Sequence, residues 1–145
     1  MAPIGSRHAG VVGQLTQIFA RQDPRALVWV QNPLPLPPDS ELLPDLMLLA
    51  PSPDFYKTAA PTAADVLLLI EVADTTLTYD RDYKLPLYAR HGVPEAWIVN
   101  IAEACIEVHA EPAPARYRTR TLLRTADAAM PKGVAGVATE VGALF

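Results

Sequence analysis

Apolar residues return at spacings of three and four through Val11, Val12, Leu15, Ile18 and Phe19, a stripe that predicts an amphipathic helix opening after Gly5-Ser6, with Ser6 as its cap. Asp23-Pro24 should end that helix, and Ala26-Leu27-Val28-Trp29-Val30 reads as a strand because β-branched and aromatic residues cluster there. Residues 32–39 hold Pro33, Pro35, Pro37 and Pro38, which restricts them to a sheet edge or an extended connection, since proline donates nothing to a ladder. A short apolar strand follows at residues 46–50. Beyond a proline-rich loop at residues 51–61, the run Val66-Leu67-Leu68-Leu69-Ile70 is unbroken and passes into Glu71-Val72, the pattern of a central strand covered on both faces.

From about residue 80 to residue 91 the pattern is helical, with Gly92 as the stop and Val93-Pro94 preventing continuation. Pro86 is tolerated only near a helix start, so the helix is expected to begin near Asp82 with Lys84 in its first turn. Ala96-Trp97-Ile98-Val99 predicts another buried strand. Residues 105–109 alternate like a half-exposed strand, residues 117–123 continue the sheet, and the closing residues 141–145 show no clear pattern. The order predicts a mixed α/β domain, one sheet with helices packed on it.

Composition changes this picture little. With 145 residues, half of them hydrophobic, the chain is sized for a single domain spanning residues 1–145. Twelve basic against 16 acidic residues give a formal charge of −4, so attraction to nucleic acid has to come from a local patch or a metal ion. Cys105 is the single cysteine, which excludes an intrachain disulfide and a multi-cysteine zinc site and makes the cytoplasm the expected compartment. The longest apolar run has five members, too few for a membrane span, and residues 1–8 do not read as a secretion signal.

The candidate chemistry lies in three residues. Asp45 stands at the mouth of one strand and Glu71 at the end of the next, and consecutive strands are usually neighbours, so the two carboxylates can converge at one end of the sheet. An acid ending an apolar run is costly to bury without a partner. A hard divalent cation held by two carboxylates, the backbone carbonyl of Val72 and waters would be such a partner, and this set suits magnesium, with manganese as the alternative. Lys84 shares a helical stripe with Leu87, Tyr88 and His91, so its ammonium heads along the buried face. Acid pair, metal and lysine together make the parts of metal-assisted phosphodiester hydrolysis. Taken singly, each has a plainer reading: Asp45 as a turn residue, Glu71 as a strand-end acid reaching solvent, Lys84 as a snorkelling side chain.

The blocks Gly5-Ser6-Arg7-His8, Gln31-Asn32-Pro33, Glu41 with Pro44-Asp45, Leu69 to Asp74, Tyr79 to Ala89 and Gly92 to Asn100 stand in the order of the Uma-two family of restriction-endonuclease-like proteins, and the chain closely resembles that family over residues 5–110. The resemblance implies a restriction-endonuclease-like mixed sheet flanked by helices, a PD-(D/E)xK nuclease core and magnesium-dependent cleavage of DNA. It matches Asp45 to the aspartate of the Pro-Asp pair, Glu71 to the acid of the next strand and Lys84 to the helix lysine. Two residues after Glu71, where the general pattern has its lysine, this chain has Ala73, a displacement the family shares. Family members usually begin with a further helix and hairpin, and the resemblance is expected to start just after them here. That difference implies an N-terminally truncated domain with an open sheet edge, suited to a homodimer, and it keeps a second reading in view: a nuclease-like interaction or dimerisation module without catalysis.

Other residues carry two readings each. His8, on the apolar side of the first helix, is read first as a satisfied or partly buried histidine and second as a contact to a scissile phosphate. Glu41 is taken from the resemblance as an acid supporting Asp45, or as loop decoration. Gln31 faces the same site or caps a strand. Arg116, Arg118 and Arg120 share parity on one strand, with Arg124 nearby, and form either a solvated edge or a surface for phosphates. Tyr117 has the opposite parity. Cys105 and Trp97 are taken as core.

Overall fold

The computed structural model describes residues 5–22 and 25–145, so the Asp23-Pro24 stop lies outside the described residues. Helix α1 (Ser6–Gln22) buries Val11, Val12, Leu15 and Phe19, the predicted stripe. Its first hydrogen bond runs from the Ala9 amide to the Gly5 carbonyl at 3.0 Å, which makes Gly5 the capping residue, one position before Ser6. Strands β1 (Leu27–Val30), β4 (Leu46–Leu49), β5 (Val66–Ala73), β6 (Glu95–Asn100), β7 (Cys105–Pro112) and β8 (Tyr117–Leu123) form one six-stranded sheet in the order β1-β4-β5-β6-β7-β8. Among the described residues only the β5–β6 pair is parallel, its ends joined across the sheet by a helical crossover. The proline-rich stretch is an outlying hairpin, β2 (Leu34–Leu36) with β3 (Ser40–Leu42), as its missing donors require.

The crossover helix corrects the expected start. It runs over residues 77–90 as α-helical Leu77–Tyr79, a π-helical turn Asp80–Lys84 and α-helical Leu85–Arg90, together called α2 below. Pro86 was expected to mark the first turn, but the helix opens nine residues earlier. In the π turn the Leu85 amide donates to the carbonyl of Asp80, five residues back, and this widened turn is where a residue without an N–H is absorbed. Strand β7 is the second correction. Cys105, Ile106, Glu107, His109 and Ala110 are all buried, because β8 pairs along one side of β7 while Arg81 of α2 closes over Glu107.

Side chains alternate between two cores. Leu46, Leu48, Leu68, Ile70, Val72, Trp97 and Val99 pack with α1 and with the closing segment, which forms a short ribbon of β9 (Ala128–Ala129) and β10 (Thr139–Glu140) and then, where residues 141–145 showed no clear pattern, the 3-10 turn Val141–Leu144. Gln22 holds this segment by donating to the Ala138 carbonyl and accepting from its amide, both at 2.8 Å. Met47, Leu49, Leu69, Ala96 and Ile98 face the other way, onto α2 and the β2–β3 hairpin. Glu71 falls between Leu69 and Ala73 on this second face, so the period-two alternation aims its carboxyl at α2. Trp97 is wholly buried, contacts Phe19 at 6.1 Å between ring centroids and donates to Glu95 at 2.5 Å. Trp97→Ala should cost about 3–5 kcal/mol, read as a lower denaturation midpoint in urea with an unchanged slope.

Candidate active site

Antiparallel pairing of β4 with β5 sets Leu46 opposite Ile70, and one step further Asp45 falls opposite Glu71. The two acids therefore meet where β4 begins and β5 nears its end, as the strand order predicted. Asp45 Oδ2 accepts the Val72 amide at 2.8 Å, and its Oδ1 lies 3.1 Å from His8 Nε2 at the start of α1. Within a strand one residue's N–H and C=O point the same way, so the Val72 carbonyl also faces the Asp45 side, away from β6.

Glu71 is almost wholly buried, with Oε1 accepting the Tyr88 hydroxyl at 2.5 Å and Oε2 accepting Lys84 Nζ at 3.2 Å. Lys84 also lies 3.2 Å from Asp80 Oδ1, and Asp80 Oδ2 accepts the Thr76 hydroxyl at 2.8 Å. Asp80, Lys84 and Tyr88 are four residues apart in turn and form one stripe of α2 over the acid. A cleft of about 750 Å³ opens here, lined by His8, Gln31, Asp45, Glu71, Val72 and Lys84 among others.

The electrostatics follow from burial. Desolvation pushes the Glu71 carboxyl up to about 8, with Asp45 and Asp80 adding to the rise while Lys84 and the Tyr88 hydrogen bond oppose it. Asp80 is raised by burial too, against the pull of Lys84. Burial works against the Lys84 ammonium, but Glu71 and Asp80 together hold its pKa above the ordinary lysine value. Tyr88 is kept a phenol by burial and by Glu71.

Asp45, Glu71 and Lys84 thus stand together, with the Val72 peptide beside them. Gln31 lines the same cleft. His8 is partly buried, as its first reading had it, with Nε2 on Asp45 and Nδ1 buried without a partner among the described residues. Glu41 is exposed on β3, opposite Pro35, and is not among the residues lining the cleft. Tyr88 and Asp80 were not picked out as site residues. Their signal was the four-residue spacing about Lys84, which is also what an ordinary helix face shows.

Among the described residues, no group of three or more His, Cys, Asp and Glu side chains is arranged to hold a metal ion. Two carboxylates and a main-chain carbonyl nonetheless fit a hard cation that keeps several waters, and a cation there would oppose the burial that, with Asp45 and Asp80 adding to it, raises the Glu71 carboxyl.

The architecture matches, over 100% of this chain and 83% of the other, the crystal structure of a putative nuclease from Anabaena variabilis, at a TM-score of 0.76 and 14% identity. The fold is therefore the mixed α/β fold of restriction-endonuclease-like proteins. A family model for Uma2, described as putative restriction endonuclease, matches residues 1–142, and the chain belongs to that family. No curated protein matches it. No helix among the described residues is long and apolar enough to cross a membrane.

Proposed function

We propose that this protein is a metal-dependent endonuclease that hydrolyses phosphodiester bonds in DNA, with magnesium, or manganese in its place, as cofactor. The observation that carries the reading is the convergence of Asp45, Glu71 and Lys84 on one cleft at the end of two adjacent strands. Asp45, Glu71 and the Val72 carbonyl would hold the cation, which when bound supplies Lewis-acid polarisation of the phosphodiester. His8 fixes one oxygen of Asp45, and the Val72 amide fixes the other. Tyr88 holds Glu71 from the helix side. Lys84 Nζ orients the attacking water and offsets the negative charge that grows on the phosphoryl oxygens. The water oxygen bonds to phosphorus, the bond from phosphorus to one sugar oxygen breaks, and a phosphomonoester and a hydroxyl result.

The test is relaxation and linearisation of supercoiled plasmid by purified full chain in magnesium, in manganese and in EDTA. Cleavage with either metal and none in EDTA is the expected result. Lys84→Ala should slow it about 10²-fold. Folded protein that cleaves with neither metal overturns the enzyme reading in favour of an inactive nuclease-like module.

A further inference from the structure

A second recess, of about 400 Å³, lies along the same helix, with Arg81, Arg116 and Arg120 around Glu107, His109 and Tyr117. Glu107 is fully buried at its base. Arg81 grips it, Nε lying 2.9 Å from Oε2 while Nη2 reaches the same oxygen. His109 Nε2 and Arg120 Nε reach Oε1 at 3.1 and 3.3 Å. Burial lowers the pKa of His109 despite the opposing pull of Glu107, so the imidazole contributes a hydrogen bond rather than a charge. One carboxylate therefore stands against three guanidinium groups, a surplus of two positive charges in a chain whose net charge is −4.

Part of the surplus is oriented, by the hold of Arg81 and Arg120 on Glu107. Arg120 spends only its Nε on Glu107, so both terminal nitrogens remain, and Arg116 makes no ion pair among the described residues. Tyr117, despite its parity, is buried here with its hydroxyl on the Val93 carbonyl at 2.8 Å, opposite Pro112, which follows the left-handed Glu111 (φ 58°). Guanidinium forks held over a low-dielectric floor match phosphate oxygens two at a time.

We propose that this recess binds a backbone phosphate of the DNA whose scissile phosphate lies at Lys84, an inference that rests on DNA being the substrate. Arg81 and Lys84 are three residues apart on α2, so one strand can address both. The contact carries no base information and therefore contributes affinity without sequence preference.

The test is fluorescence anisotropy with a labelled duplex of about 20 base pairs in EDTA, where cleavage cannot intervene, across a salt series. Arg116→Ala should weaken binding about threefold to tenfold. The double variant Arg116→Ala/Arg120→Ala should weaken it about 10- to 100-fold and lower the slope of log affinity against log salt by about 2. The lysine pair, Arg116→Lys/Arg120→Lys, should recover most of the slope. Arg21→Ala, on α1 across the sheet, is the control for loss of charge alone and should change binding less than twofold. Duplex binding that the double variant leaves at the wild-type level overturns the recess and leaves the substrate reading standing. No duplex binding by the wild type overturns both, and saturable binding of inorganic phosphate in that case would transfer the recess to a free phosphate.

Discussion

Asp45→Asn and Glu71→Gln should each lower metal-dependent DNA cleavage by about 10³-fold or more while the protein stays folded. Each change removes one formal charge and keeps the shape of the side chain. The amide oxygen introduced by Asp45→Asn can still accept the Val72 amide, and that introduced by Glu71→Gln can still accept the Tyr88 hydroxyl, so one positioning hydrogen bond survives at each residue while His8 and Lys84 each lose a carboxylate oxygen. What disappears is half of the anionic charge proposed to hold the cation, and with it the electrostatic stabilisation that dominates phosphoryl chemistry. Raising magnesium from about 1 to about 50 mM should restore part of the activity of Asp45→Asn, because weakened binding is offset by mass action. Cleavage within tenfold of wild type in both variants would sink the assignment of these acids.

In the metal-free protein, Glu71→Gln should be more stable than wild type at pH 8 by up to about 5 kcal/mol, and about equal to it near pH 4.5. The sign follows from the raised pKa. The folded chain keeps its proton on Glu71 up to about 8, whereas the unfolded chain releases it near the ordinary 4.5. Stability from this group is therefore complete below pH 4.5 and is lost as pH climbs to 8. Glutamine has no proton to lose and shows no such fall. Glu107 slopes the other way, because Arg81, His109 and Arg120 outweigh its burial and depress its pKa, so the difference between variant and wild type, rather than either curve alone, isolates Glu71. Urea midpoints in EDTA at half-unit intervals from pH 4.5 to 8.5 give that difference. A flat difference would mean that Glu71 ionises as a solvent-exposed carboxylate does.

Much of the candidate site was legible before the fold was known. Asp45 and Glu71 each stand at the end of an apolar run, and antiparallel neighbours bring such ends together by register alone. Lys84 shares a stripe with Tyr88, and helical geometry carries both to the same acid. What stayed hidden depends on contacts between distant segments. His8 lies far before Asp45 in the chain, and nothing local distinguishes it from any histidine on an apolar helix face. Glu107 read as the polar member of an alternating strand; its burial needs Arg81 from α2 and Arg120 from β8 at once. Pro86 misled because the rule that confines proline to a first turn assumes an α-helical register, and the π turn before it relaxes that register.

Hydrophobic periodicity by itself determined the main strands, the helices and the central place of β5, because burying an apolar stripe is a local property of spacing and a free-energy gain common to any packing that covers it. Tertiary structure decided the ionisation of the site and the existence of the arginine recess. Both depend on which charges lose their water together, and desolvation belongs to the packed assembly rather than to any segment of chain.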